Sequence, residues 1–513
     1  MTKHYQDYCA WAYDSLGFCY FLLMDTPEQD VVDLLESATG VEFGGVEALN
    51  KIGDRLHSAT MEILGDVGIS FGEPDALKIF KHHGVKVDGD KVFLNEDQIT
   101  NALDTVPAKF TIAARDPEKS VVLGGDNLVF APGYGTVFIT SETGDMRRPV
   151  IEDHNNLCKL VQTSTYIDVN GFLMVDPSDV PAETAHLDML FSNLVLCDKP
   201  FLSSSASRQA VRECIELAGI GWGGADGIKD KPVMISVITP LSPLQYSCEM
   251  AGALIENSRH GQVSLIGLLM MAGSTGPVTL SGLMALQNAE ILAAVVLTQL
   301  VNPGAPVIYG GTSTITDMRT GSLAIGAPEM PMIQHMQVQM ARFYGIPCRG
   351  TGGITDSHVP DIQAGIESAL ALSTTIRSGA NFILHACGIL SSFLAMSYEK
   401  FIIDEELCGM LRRMIKPVDV SDDSIDLATI KEIGIGGEYL THARTYERCR
   451  TEFFLPDLMN RQYYESWKLS GKKTLDETAT ERVAGRLAAY ERPKIDPAIE
   501  QELSQYVAKK KKL

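Results

Sequence analysis

Three short apolar runs, Val307–Tyr309, Ile346–Cys348 and Phe382–Leu384, each stop at glycine or a small polar residue, and a helix-length segment separates each from the next. An apolar run of this length followed by about ten or more helical residues predicts a parallel βα unit. The pattern extends upstream. Further strands are predicted at Asp168–Val175, Pro200–Ser205, Pro232–Ile238 and Gln262–Met270, and the three runs widen to Pro306–Gly311, Ile346–Gly350 and Ala380–Ala386. Helices are predicted between them, at Ala182–Leu196, Leu244–Ser258, Leu283–Leu300 and Pro360–Ser378. Strand–helix alternation sustained over this length predicts an α/β protein of the (β/α)8 barrel type, whose chemistry sits on the loops after the strands. Seven strands are legible. The eighth falls either between Leu390 and Asp404 or in the preceding region.

That preceding region has a different rhythm. Val46–Val67 is amphipathic, with Leu49, Ile52, Leu56, Ala59, Ile63 and Val67 on one face, and Asp75–His83 is also helical in pattern. Val85–Leu94 alternates around an Asp-Gly turn, a hairpin signal, and Asn95 is placed to cap a helix through Asp104. Phe110–Ala113, Val121–Leu123, Leu128–Ala131 and Thr136–Thr140 are strand-like. The expected division is an N-terminal appendage at 1–40, an α+β region packed on the barrel at 41–165, the barrel at 166–420 and a helical extension at 421–513.

Composition narrows the function classes. The 513 residues are 45% hydrophobic and 21% charged, ordinary for a globular enzyme with a large core. With 43 basic against 65 acidic residues the net charge is −22, which argues against nucleic acid or an anionic membrane as partner. The basic run Lys509–Lys512 reads as a solvated tail. Ten irregularly spaced cysteines fit reduced thiols and a cytoplasmic protein. Leu16–Met24 is apolar but too short to span a bilayer, and Asp7 and Asp14 before it make a poor secretory signal. Leu469–Thr474 lacks the upstream glycine and the hydroxyl residue of a phosphate loop.

Several blocks, in order, carry a family resemblance: Phe130–Phe138 (FAPGYGTVF), Asn288–Gly311, Thr316–Gly321 (TDMRTG), Gly326–Met330 (GAPEM), Gly345–His358 (GIPCRGTGGITDSH), Ser397–Glu406 and Ala488–Val507. From about Gly45 to Val507 the chain resembles the trimethylamine methyltransferase family. The resemblance implies a (β/α)8 barrel that demethylates a methylated amine onto a separate corrinoid-binding protein. The trimethylamine enzymes carry pyrrolysine on a late strand, whereas the matching stretch around Gly352–Thr355 has only standard residues. The chain therefore resembles the non-pyrrolysine branch, which implies a quaternary amine substrate such as glycine betaine, proline betaine or carnitine. The sequence lacks the Asp-x-His-x-x-Gly pattern of a corrinoid ligand, since Asp356–Asp361 has no matching glycine. No cofactor is expected on this chain, the corrinoid (methylcobalamin after transfer) being supplied by the partner. A homo-oligomer is expected.

A quaternary ammonium leaves as a neutral tertiary amine, so Co(I) can attack its methyl carbon without an acid on nitrogen. The protein must hold a diffuse cation, aim one methyl and exclude water. Aromatic faces serve the cation, and a His, an Arg or glycine-loop N–H groups serve a carboxylate. The candidates are Tyr134 between two glycines, Phe393 and Tyr398 after the last strand, and His385 at that strand's end. Arg349, Gly311 and Gly353 stand on post-strand loops. His385 and Tyr134 are the catalytic candidates. On alternation, Asn381, Ile383, His385 and Cys387 share a strand face. Against these stand plainer readings: a turn tyrosine, a core phenylalanine, a satisfied core histidine. Asp317, Arg319, Glu329 and Asp356 read as solvated or structural loop charges, and Asn170 and Ser236 are weaker candidates. The alternatives are a zinc site from His385, Cys387 and Cys408, which would make the transferase metal-dependent, and a betaine-binding protein without chemistry.

Overall fold

The computed structural model describes residues 46–512 apart from 142 and 230, with side chains from residue 52 onward. The expected appendage at 1–40 lies outside the described residues. Parallel strands Phe201–Ser203, Met234–Ile238, Val263–Ile266 and Val307–Tyr309 pair in chain order. A bridge from Tyr309 to Cys348 leads to Arg349–Thr351, which pairs with Phe382–Leu384. Phe382 and Ile383 then pair in parallel with Val129 and Phe130. The carbonyl of Phe130 accepts from the N–H groups of Asp168 and Val169, and Asn170 bridges back to Phe201. The partner of the last strand is therefore Leu128–Ala131 of the preceding region, the second of the two places left open for an eighth strand. In the Asp168–Val175 run the parallel pairing reduces to two isolated bridges, Asn170 to Phe201 and Val175 to Thr136.

Each of these segments is followed by a helix: Ile151–Thr163, Ala185–Leu196, Arg208–Gly221, Cys248–Arg259, Leu280–Val301, Glu329–Phe343, Ile362–Arg377 and Tyr398–Ile415. Small polar residues start many of them. Ser207, Ser247, Asp361 and Ser397 each accept a backbone N–H from the first turn, satisfying a donor that the helix cannot. Leu280–Val301 is long and apolar enough to cross a membrane by composition, yet most of it is buried in the fold. Its few polar side chains tie layers together. Asn288 donates to Thr60 of the N-terminal helix at 2.9 Å and accepts from Tyr309 of a strand at 2.8 Å.

The N-terminal region packs on this helix. Asn95 and Gln98 form a reciprocal capping box, and the Lys86–Asp88/Lys91–Phe93 hairpin joins Ile69–Phe71, which pairs with Gln245–Tyr246 from a post-strand loop. The expected face of the first helix is turned. Leu56, Thr60 and Leu64 are buried, while Ile52 and Val67 are exposed. The α-helix ends at Glu62 and a wider turn, Ile63–Val67, closes on Gly68 N–H, so the regular spacing does not carry through.

One buried cation fixes the corner at Asp168. Lys199 donates to the carbonyls of Val161, Ser164 and Ile167 at 2.9, 2.8 and 2.5 Å, and burial lowers its pKa. Replacing Lys199 by Met leaves three buried carbonyls without that donor. At about 1–3 kcal/mol for each unsatisfied group, Lys199→Met should lose on the order of 3 kcal/mol or more in urea unfolding. A loss below about 1 kcal/mol would contradict this account.

Candidate active site at the strand ends

The loop Gly133-Tyr134-Gly135 follows the Val129–Phe130 strand and lies beside the end of Phe382–Leu384. Backbone bonds join the two segments: His385 N–H to Pro132, Ala386 N–H to Ala131 and Gly133 N–H to Cys387. A Cβ at Gly133 would stand 2.6 Å from the tips of the Ile389 and Met396 side chains, which would have to shift. His385 has φ +61°, so the chain leaves the strand conformation at this residue and the expected alternation with Asn381 and Cys387 fails. Asn381 instead accepts from Cys348 N–H and donates to the Gly125 and Asn127 carbonyls. The turn at His385 sends its imidazole toward Arg349.

Arg349 opens the Arg349–Thr351 strand. Its Nη2 donates to Nδ1 of His385 at 3.0 Å, and Thr351 Oγ1 lies 3.2 Å from the same nitrogen. Nδ1 is therefore an acceptor, so Nε2 carries the proton and donates to the Tyr134 carbonyl at 3.2 Å. Both ring nitrogens are in use. Burial, reinforced by the Arg349 charge, holds the imidazole pKa well below the usual histidine value. Burial also lowers the Arg349 pKa, to about 9, which leaves it a cation at neutral pH. Among the described residues its Nε has no hydrogen-bond partner, and no carboxylate pairs with the guanidinium.

Phe393 meets this group with its ring, and Tyr134 with its backbone carbonyl. The Phe393 ring is 4.8 Å from the His385 ring at 58°. The phenol of half-buried Tyr134 bonds to Ser205, and burial pushes its pKa up to about 12, so it stays protonated at neutral pH. Phe393 ends a run of three non-glycine residues at positive φ: Ser391 at 54°, Ser392 at 52° and Phe393 at 72°. Left-handed backbone costs about 1–2 kcal/mol per residue. The run is held by Ser391 N–H to Ser357, Ser392 N–H to Thr355, and His358 Nδ1 against Ser391 Oγ at 2.8 Å. Asp356 completes the hold, accepting from Ser392 Oγ at 2.5 Å and from the N–H groups of Ile325 and Gly326. Asp356 thus ties three loops together rather than facing solvent.

The other candidates lie elsewhere. Gly311 N–H donates to Gln337 at 2.6 Å, and Gly353 is pressed against the Ala386 carbonyl and Asp404. Asn170 and Ser236 bond to Asn193 and Asn257 of flanking helices, Tyr398 donates to Asp153, and exposed Arg319 pairs with Asp317. Glu329 opens the Glu329–Phe343 helix. The zinc alternative does not assemble. Cys387 and Cys408 are buried thiols near Asp404 and Lys400, on the side of the Tyr398–Ile415 helix, while His385 turns to Arg349. Among the described residues no three His, Cys, Asp or Glu side chains are placed to share one metal ion. Thr351, Ser205 and the Ser391–Ser392 turn were not legible in the sequence. Their roles depend on a backbone conformation that periodicity does not encode.

The electrostatics predict a silent histidine. The folded imidazole stays neutral while an unfolded one takes a proton near pH 6.5. The group therefore contributes stability above about pH 6.5 that is lost as pH falls below it. Imidazole ¹⁵N NMR, assigned with His385→Gln, should report a neutral Nε2–H ring from pH 8 down to about 5.5. A titration with its midpoint near 6.5 would contradict the assignment.

Residues 46–513 match the family model described as trimethylamine methyltransferase (MTTB). The chain is 42% identical to a glycine betaine methyltransferase of Desulfitobacterium hafniense, over 89% of this chain and 95% of that one. It is 34% identical to a proline betaine:corrinoid methyltransferase of Eubacterium limosum, covering 89% and 96%, and 31% identical to an L-carnitine:corrinoid methyltransferase of the same organism, covering 88% and 94%. Among solved structures, the monomethylamine methyltransferase of Methanosarcina barkeri superposes with a TM-score of 0.50 at 11% identity, covering 90% of this chain and 93% of that one, a likeness of fold. The chain is a member of the trimethylamine methyltransferase family.

Proposed function

We propose that this protein takes one methyl group from a quaternary amine bearing a carboxylate and passes it to Co(I) of a separate corrinoid protein. Glycine betaine, proline betaine and carnitine are the substrate types. The observation that carries the reading is Arg349, a buried guanidinium without a carboxylate partner among the described residues. An uncompensated buried charge costs several kcal/mol, and a ligand carboxylate removes that cost. The names of the betaine and carnitine relatives support the same substrate class.

The chemistry asks little else of the chain. In the transfer the C–N bonding pair stays on nitrogen, the corrinoid supplies the pair for the new bond, and no proton moves. Arg349 holds the carboxylate, His385 fixes the guanidinium through Nδ1, and Phe393 and Tyr134 offer faces to the ammonium end. Each face contributes about 0.5–2 kcal/mol by cation–π attraction. Gly311 and Gly353 serve by allowing close backbone approach behind these groups. The corrinoid arrives as a substrate on its own protein.

We read the parallel segments as a (β/α)8 barrel, a reading supported by two sets of paired strands that the Tyr309–Cys348 and Asn170–Phe201 bridges and the Phe130 carbonyl link to one another. We keep the order of N-terminal α+β region, barrel and C-terminal extension but move the start of the barrel from residue 166 to Val129, whose strand pairs with Phe382–Leu384. The free thiols of the described cysteines support a cytoplasmic setting.

Arg349→Gln is the direct test. Loss of a charge-assisted bond of about 1.5–3 kcal/mol should weaken glycine betaine binding about 10- to 100-fold in calorimetry. Choline, which lacks the carboxylate, should be little affected. Equal losses for both ligands would overturn the assignment.

A further inference from the structure

Residues 416–474 leave the rest of the molecule as an arm. It contains helices Asp422–Ile425, Leu427–Ile433, Ala443–Glu452 and Tyr464–Leu469, yet between residues 412 and 478 Thr429 and Leu458 are the buried side chains. Ordering backbone costs about 1–2 kcal/mol per residue, and this segment has almost no core of its own to offset that. What holds it are surface contacts. Arg444 pairs with Asp423 and Asp426, Arg448 pairs with Asp423, and exposed pairs of this kind contribute about 0–1 kcal/mol each. It is tethered where Glu406 accepts the N–H groups of Asp457, Leu458 and Met459 at 2.7–2.8 Å.

The arm exposes what a core would bury. Tyr446, Phe453, Tyr463 and Tyr464 are 73%, 63%, 88% and 63% exposed, and Ile435, Leu440 and Leu469 are more than three-quarters exposed. At about 150–250 Å² per aromatic side chain, the four rings alone present on the order of 400–700 Å². A stable interface takes about 800 Å² from each partner, and monomers rarely show apolar patches beyond a few hundred Å².

We propose that this arm is a self-association surface, covered by a second copy of the chain. Charge favours a like partner. The arm carries ten acidic and nine basic residues in a molecule of net charge −22, so two copies meeting here avoid the repulsion they face elsewhere. Position argues against the corrinoid protein. The Tyr398–Ile415 helix runs back from the site, and its Arg412 donates to Leu128 and pairs with Asp168, at the starts of the parallel segments. The arm leaves from that end, opposite the loops bearing Tyr134, His385 and Phe393. A carrier that must dock and depart at each turnover would also meet a smaller, more polar surface. The described chain begins with the Val46–Glu62 helix, which packs against Leu280–Val301, away from the arm.

Sedimentation velocity on the full chain should give at least twice the 55.8 kDa chain mass at micromolar concentration. The double variant Ile435→Glu/Tyr463→Glu should sediment as the monomer with an unchanged far-UV spectrum, while deletion of residues 1–45 should leave the assembly intact. A monomeric wild type, an associated double variant, or dissociation on deleting 1–45 would each overturn the proposal. Should the variant misfold, cross-linking of mixed ¹⁴N and ¹⁵N wild-type protein decides. Heteroisotopic links at Lys431, Lys468 or Lys473 support the arm, and links confined to other surfaces reject it.

Discussion

A guanidinium taken out of water with no carboxylate partner among the described residues is the constraint on which the candidate site turns. Arg349 sits at the start of a strand, 2% exposed, and its neighbours supply a neutral acceptor instead of a carboxylate. A protein selected only for stability would place an acid there or an apolar residue, because an unpaired buried charge is among the larger local costs a fold can carry. Family membership places the chain among methyltransferases. A cationic anchor suits those members whose substrate carries its own anion. On the proposed reading the residual positive charge is a binding determinant, and its cost is removed on binding.

Around that anchor the structure is organised to keep other groups from moving. His385 is locked between Arg349, Thr351 and the Tyr134 carbonyl, so it fixes geometry without trading protons. Phe393 reaches the imidazole only because Ser391–Phe393 adopts a left-handed turn, and Asp356 and His358 hold that turn against its backbone cost. Gln334 and Gln337 bind the backbone of Gly311, Arg349 and Thr351, so the loop after one strand and the next strand share one helix as support. Rigid placement is what a displacement at carbon requires, since the methyl carbon must lie in line between nitrogen and acceptor.

Much of this was legible in the sequence, for definite reasons. The parallel strands are short apolar runs stopped by glycine, so Val307–Tyr309 and Phe382–Leu384 could be placed from pattern alone. Tyr134, Phe393, Arg349 and His385 were singled out because post-strand loops are where such sheets carry chemistry, although Arg349 proves to lie within a strand. Their division of labour was not legible. Alternation put Cys387 on the same face as His385, and one positive φ separates them. Asp356 read as a loop charge because its partners, Ile325, Gly326 and Ser392, lie more than thirty residues away on either side or nearly so. The exposed arm escaped notice as well, since its apolar residues look like those of any helical segment until burial is known.

The central claim is a reaction with a defined substrate class, and it has a direct optical readout. The purified full-length protein, mixed with its Co(I)-reduced corrinoid partner, should convert the corrinoid's visible spectrum to the methylated form with glycine betaine, proline betaine or carnitine. Trimethylamine should leave the spectrum unchanged. Methylation by trimethylamine with none by any quaternary amine would contradict the account.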